Sequence, residues 1–202
     1  MERVITASDG PAQIDIEGVR EAHIELVGGD VSVGATTAPS RLEACCLHGG
    51  PVTVQFQDGV LLVRQGPGRS TSDRASVALT VPPDRPVRVR TVSAAVLVAG
   101  LAGTTRVRTL SGEIAVDLDP KDRGAYECET LAGGVSFRLT PQASVTVEAA
   151  TVGGQVVSDE GPTASRLPRR RTWTVGEGGS QLRIRTLSGD IVVLRYAEAV
   201  PA

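Results

Sequence analysis

The chain has 202 residues, with 21 lysines and arginines against 23 aspartates and glutamates, the two signs interspersed and a formal net charge of −2. A nucleic-acid-binding surface wants a basic stripe interleaved with aromatics, and with aromatics at 2% the sequence excludes that class and calls for an aliphatic core. The longest apolar run, 94–101, falls far short of the roughly 18 residues of a membrane span, and residues 1–10 lack the basic and apolar regions of a secretory leader; the expected location is the cytosol.

In chain order, the first predicted strand is 14–16. From residue 24 a ten-residue phrase recurs seven times, cleanest as Val107-Arg-Thr-Leu-Ser-Gly-Glu-Ile-Ala-Val116 and Ile184-Arg-Thr-Leu-Ser-Gly-Asp-Ile-Val-Val193. Looser copies occupy 24–33, 44–54 (with one extra turn residue), 89–98, 128–137 and 149–158. Further strands are expected at 60–63, 77–81, 144–147 and 171–175, the pair at 60 and 77 accounting for the long step between the second and third copies. A fixed step of about 20 residues marks units that bury their apolar faces by stacking on one another.

Within a copy the alternation has period two and breaks once. Val107 and Thr109 point inward and Arg108 outward, then Ile114 and Val116 point inward again, an odd distance on. Residues 110–113 therefore turn a corner that keeps apolar side chains inside on both arms. Glycine at 29, 112, 133, 154 and 189 is expected to supply backbone freedom there, including positive φ. A two-residue hairpin is the rival use of Ser-Gly, but recurrence at equivalent positions favours a coil. No segment carries the 3.6-residue apolar period of a helix. The expected fold class is all-β: a repetitive β-solenoid or prism-like stack of ~20-residue rungs, one domain over 1–202 with a repeat core at about 24–194 and insertions at about 64–76 and 159–174.

Shared register makes the threonines 109, 130, 151 and 186 an inward stack, with Ile114, Val135, Val156 and Ile191 stacked across the corner. It also aligns outward columns: Arg88, Arg106, Glu127, Glu148 and Arg183 in one, Arg90, Arg108, Glu129, Ala150 and Arg185 in the next. With rungs stacked in chain order, Arg106 meets Glu127 and Arg108 meets Glu129. Such a ladder keeps register, each exposed pair contributing tenths of a kcal/mol. Cys45 and Cys46 are adjacent and Cys128 lies in a strand, which is no disulfide framework; Cys46 and Cys128 fall at inward positions as small hydrophobes.

The familiar catalytic signatures are absent: no Gly-x-Ser-x-Gly elbow, no His-Glu-x-x-His, no phosphate loop and no Cys-x-x-Cys. With only His23 and His48, neither a metal site nor a cofactor is expected. The two insertions break the repeat, and insertions in a solenoid emerge on one face, often the binding face. The second holds Arg166, Arg169, Arg170 and Arg171, a set suited to a carboxylate or an acidic carbonyl system. Trp173 and Tyr196 are read either as a pocket wall or as a terminal cap. Asp159, Glu160 and His48 are the candidate proton-transfer groups.

The recurring Thr-Leu-Ser-Gly-[Asp/Glu]-Ile-x-Val phrase resembles the bacterial β-strand-repeat family labelled "putative adhesin", of the DUF4097 type, over residues 24–194. The resemblance implies the all-β repeat fold and an interaction role. The Arg-, Ala-, Gly-, Pro- and Val-rich composition looks actinobacterial, and the chain is similar in kind to the cofactor-free, tetronasin-type polyether cyclases of such organisms; no catalytic motif carries that likeness, so no residue role transfers. Two functions are therefore expected. The first is a cofactor-independent cyclase or isomerase that folds a large apolar, polyketide-like small molecule by shape, which needs one or two polar anchors and no triad. The alternative is a non-enzymatic β-repeat scaffold, with oligomers formed through solenoid ends or faces.

Overall fold

Period-two alternation becomes strand throughout the computed structural model, which describes residues 1–66, 72–118, 124–160 and 170–196. The elements are β1 (Glu2–Ile5), β2 (Ala12–Ile16), β3 (Glu21–Ala35), β4 (Ser40–His48), β5 (Val52–Gln57), β6 (Val60–Gln65), β7 (Arg74–Val81), β8 (Val87–Ala99), β9 (Thr105–Thr109), β10 (Ile114–Leu118), β11 (Ala125–Thr130), β12 (Val135–Leu139), β13 (Val145–Thr151), β14 (Val156–Ser158), β15 (Arg170–Val175), β16 (Ser180–Thr186) and β17 (Ile191–Arg195). No helix occurs among the described residues, so none there is long and apolar enough to cross a membrane.

Each rung has two arms meeting at the corner. The first arms pair in the order β1-β5-β6-β3-β8-β9-β11-β16-β13-β15, parallel from β6 to β13 and antiparallel at both ends. The second arms run β2-β4-β7-β3-β8-β10-β12-β17-β14, parallel from β7 to β14. β3 and β8 pass through the corner as continuous strands and serve both arms. Inward residues of the two arms make one aliphatic core, in which Ile24, Val89, Val107, Cys128, Ile184 and Ala149 form a single fully buried column. Burying each larger member contributes about 1.5–3 kcal/mol.

The expected stacks are present, in an altered order. Thr109 lies opposite Thr130, Thr130 opposite Thr186 and Thr186 opposite Thr151, all buried; Ile114, Val135, Ile191 and Val156 follow suit on the other arm. The rung that comes last in the chain (β16, β17) therefore slots between those of β11–β12 and β13–β14. This is possible because β15 first folds back antiparallel on the outer side of β13. Likewise β6 and β7 form a rung on the outer side of β3, with the first insertion at its corner.

Two expectations are corrected. The copy at 44–54 is no rung: β4 runs antiparallel to β2 and β7, and β5 antiparallel to β1 and β6, so these strands close one end of the stack. Alternation is blind to strand direction, which is why the phrase read as a repeat. The corner glycines act mainly by lacking a side chain. Of the five, only Gly29 has positive φ. A Cβ at Gly112 would come within 3.0 Å of the Ala94 carbonyl, at Gly133 of the Gly112 carbonyl, at Gly189 of the Gly133 carbonyl and at Gly154 of the Gly189 carbonyl. Each corner thus rests on the backbone of its neighbour.

Candidate functional site

At two corners the threonine three residues before the glycine fixes the turn. Thr109 Oγ1 accepts from Gly112 N and Thr151 Oγ1 from Gly154 N, both at 3.0 Å, and Thr151 Oγ1 donates to Gly189 O on the next rung at 2.9 Å. With corners locked, outward side chains fall into columns on two faces.

On the first-arm face the columns form the charged ladder. Glu127 pairs with Arg106, Glu129 with Arg108 at 2.9 Å and Arg185 at 3.8 Å, Glu148 with Arg183 at 3.3 Å and Arg170 at 2.7 Å, and Glu25 with Arg64 at 2.8 Å. In the observed order the central signs alternate, Arg106–Glu127–Arg183–Glu148. On the second-arm face a shallow open groove of about 510 Å³ runs across five rungs. Its floor holds Ser32, Leu97, Ala115, Ser136 and Val192; Asp30, Glu113 and Asp190 edge it toward the corner. Sequence reasoning missed this groove. Its signal was the uncharged set Ser32, Leu97, Ala115, Ser136 and Val192 at equivalent outward positions after the corners.

The sequence-predicted site residues sit as follows. Asp159 Oδ2 accepts from Arg195 N at 2.8 Å and Glu160 pairs with the Arg195 guanidinium. Tyr196 is exposed, its ring centroid 5.6 Å from the Arg138 guanidinium. Arg170 and Arg171 lie on β15, the first engaged by Glu148. Trp173, on the same strand, is 8% exposed and faces the core opposite Val147, so it caps the stack. Arg166 and Arg169 lie outside the described residues. Asp159, Glu160, Arg170, Arg171 and Trp173 lie at the β14–β15 end. His48 is exposed at the end of β4, seven strand spacings away along the second arms, roughly 34 Å at ~4.8 Å per strand. The structure therefore brings Asp159 and Glu160 together and leaves His48 apart.

At the base of the first insertion Gln65 and Asp73 are buried, Gln65 Oε1 accepting from Val27 N at 3.1 Å. Nothing in the repeat pattern marked them. Burial pushes the Cys128 thiol up well beyond the ordinary range, and the Cys46 thiol is also raised, by burial first, while contacting the Gly50 carbonyl at 3.3 Å. Both thiols are held in the unreactive, protonated form.

The Toastrack DUF4097 family model matches residues 5–194. Among solved structures, a "putative cell adhesion protein" from Clostridium sporogenes is similar at 13% identity and a TM-score of 0.71, covering 92% of this chain and 99% of its own. A "putative adhesin" from Bacteroides fragilis has 11% identity and a TM-score of 0.37, covering 94% and 99%. No curated protein matches the chain.

Proposed function

The chain belongs to the Toastrack DUF4097 family, and from that premise we propose that it is a non-enzymatic β-repeat interaction module of the adhesion type, taking its partner on the groove of the second-arm face. The observation that carries this reading is where space lies. The interior is filled by side chains with almost no exposure, from Ile24 through Ile184, and packed interiors admit no ligand. The hollow of about 510 Å³ lies outside, open along five rungs and floored by uncharged side chains, as a docked segment of a partner would need. The adhesion name of the Clostridium sporogenes protein supports the same direction.

The test is saturable binding of labelled protein to intact cells and isolated envelopes of the organism that makes it. Arginine introduced in the groove floor, Ala115→Arg with Ser136→Arg, abolishes binding with the unfolding midpoint unchanged; Gln181→Arg, on the opposite face, leaves it intact. Equal binding by all three proteins removes the groove from the account. A cyclase would instead place its chemistry at the stack end, where Asp159 and Glu160 surround Arg195. Conversion of a polyketide-type chain by the wild type, lost in Asp159→Asn, would establish that reading in place of the module.

A further inference from the structure

In four adjacent rungs the fourth residue of the recurring phrase does nothing for the core. Leu110, Leu131, Leu187 and Val152 stand at the corners 48%, 51%, 51% and 58% exposed. They occupy adjacent rungs in that order, as the bonds Ala132 N to Leu110 O, Ser188 N to Leu131 O and Gly153 N to Leu187 O require. The result is an aliphatic ridge along one edge of the stack, one side chain every ~4.8 Å. Beside it lies a hollow of about 380 Å³ between the ridge leucines and Arg108, Glu129 and Arg185 of the ladder. A polar residue would turn these corners equally well, and contiguous exposed aliphatics mark an interface.

The flanks of the ridge differ in charge. On the first-arm side stand Arg90, Arg108 and Arg185 with Glu129; on the second-arm side stand Glu113 and Asp190 with no cation between them. We propose that the ridge docks a second copy of this chain, side by side, about a twofold axis parallel to the stack. That operator sets the arginine flank of each copy against the carboxylate flank of the other at the same rung level. Arg108 then faces the partner's Glu113, and Arg185 faces the partner's Asp190. It also lets each ridge enter the hollow beside the other, so the patch is self-complementary, as an isologous contact demands. A twofold axis across the stack would put carboxylates against carboxylates. At β3 the pattern sets Glu25 against Asp30, but there the ridge residue is the half-buried Val27 and Glu25 is held by Arg64 at 2.8 Å, so the contact centres on the leucine rungs. A membrane surface suits the strip less well, because anionic headgroups favour polybasic segments and repel an acidic flank.

The contact shares Glu113 and Asp190 with the edge of the groove, so the leucine variants, which lie outside the groove, distinguish failure of this proposal from failure of the groove reading. Sedimentation velocity from about 1 to 200 μM shows a monomer–dimer equilibrium for the wild type, a small interface being expected to give micromolar association. Leu131→Glu raises the dissociation constant at least tenfold with an unchanged unfolding midpoint; the milder Leu110→Ser with Leu187→Ser does the same should the glutamate perturb folding. Arg108→Glu and Glu113→Arg each weaken association, and the two together restore it, because the pair is exchanged across the axis. A wild type monomeric throughout, a Leu131→Glu protein that still dimerises, or a double reversal weaker than either single change would overturn the proposal. So would a monomeric wild type that co-sediments with vesicles of phosphatidylcholine and phosphatidylglycerol through the same leucines.

Discussion

At the residue scale the corner rests on a glycine with no Cβ and, at Gly112 and Gly154, on a threonine hydroxyl three residues earlier. Glycine at 112 and 189 is required because the neighbouring carbonyl occupies the place of a side chain, and neither has positive φ. Gly112→Ala and Gly189→Ala should therefore each lower stability by about 1–3 kcal/mol, the range for forced overpacking. Gly34 is the control: it has ordinary φ and its nearest neighbour, Thr80 Cγ2, would lie 3.9 Å from an added Cβ. Gly34→Ala should be neutral or stabilising by up to ~1 kcal/mol, since alanine restricts the unfolded chain. Urea denaturation of the three variants decides it, and a Gly112→Ala midpoint equal to wild type would remove the backbone-contact explanation. The sequence showed which glycines matter and hid the reason, because conformational freedom and lack of room select the same residue.

At the element scale the arms, corners and inward stacks were all legible, since each follows from alternation within one copy. The order of rungs was not. Every copy offers its neighbours the same backbone edges, so pairing alone does not say that β16 enters between β11 and β13. One signal was present: in chain order Glu127 would face Glu148, like against like, whereas the observed order sets Arg183 between them. Likewise Trp173 gave no hint whether it lined a pocket or capped the core until β15 was seen folding back on β13. Arg183→Glu should place three carboxylates in one row and cost about 1 kcal/mol at low ionic strength, with Arg183→Ala costing less. The penalty should shrink in 0.5 M salt, where such charges are screened. A salt-independent penalty in thermal unfolding would mean the arginine acts through packing alone.

At the scale of the whole molecule, the ladder, the groove and the ridge exist as continuous surfaces because the rungs stack in register, and the ladder alternates in sign because β16 enters between β11 and β13. A stack in chain order would keep an aliphatic ridge, with Val152 between Leu131 and Leu187, but would spoil the ladder by setting Glu127 against Glu148. The sites expected at the insertions were harder to read, because Asp159 and Glu160 are drawn to Arg195 at one end while His48 lies at the other. The groove and the ridge were missed, unlike the ladder, because outward alanine, serine and leucine carry no chemical signature until register sets them in line. The most direct measurement is disulfide trapping in a background with Cys45, Cys46 and Cys128 replaced by serine. Glu129 and Arg185 are opposite each other on adjacent strands, within the Cα separation of about 4.4–6.8 Å that a disulfide needs, whereas Ala150 lies one strand further, at about 10 Å from Glu129. The account predicts that Glu129→Cys with Arg185→Cys cross-links on mild oxidation and that Glu129→Cys with Ala150→Cys does not, read by mass spectrometry; a bridge between 129 and 150 and none between 129 and 185 would contradict it.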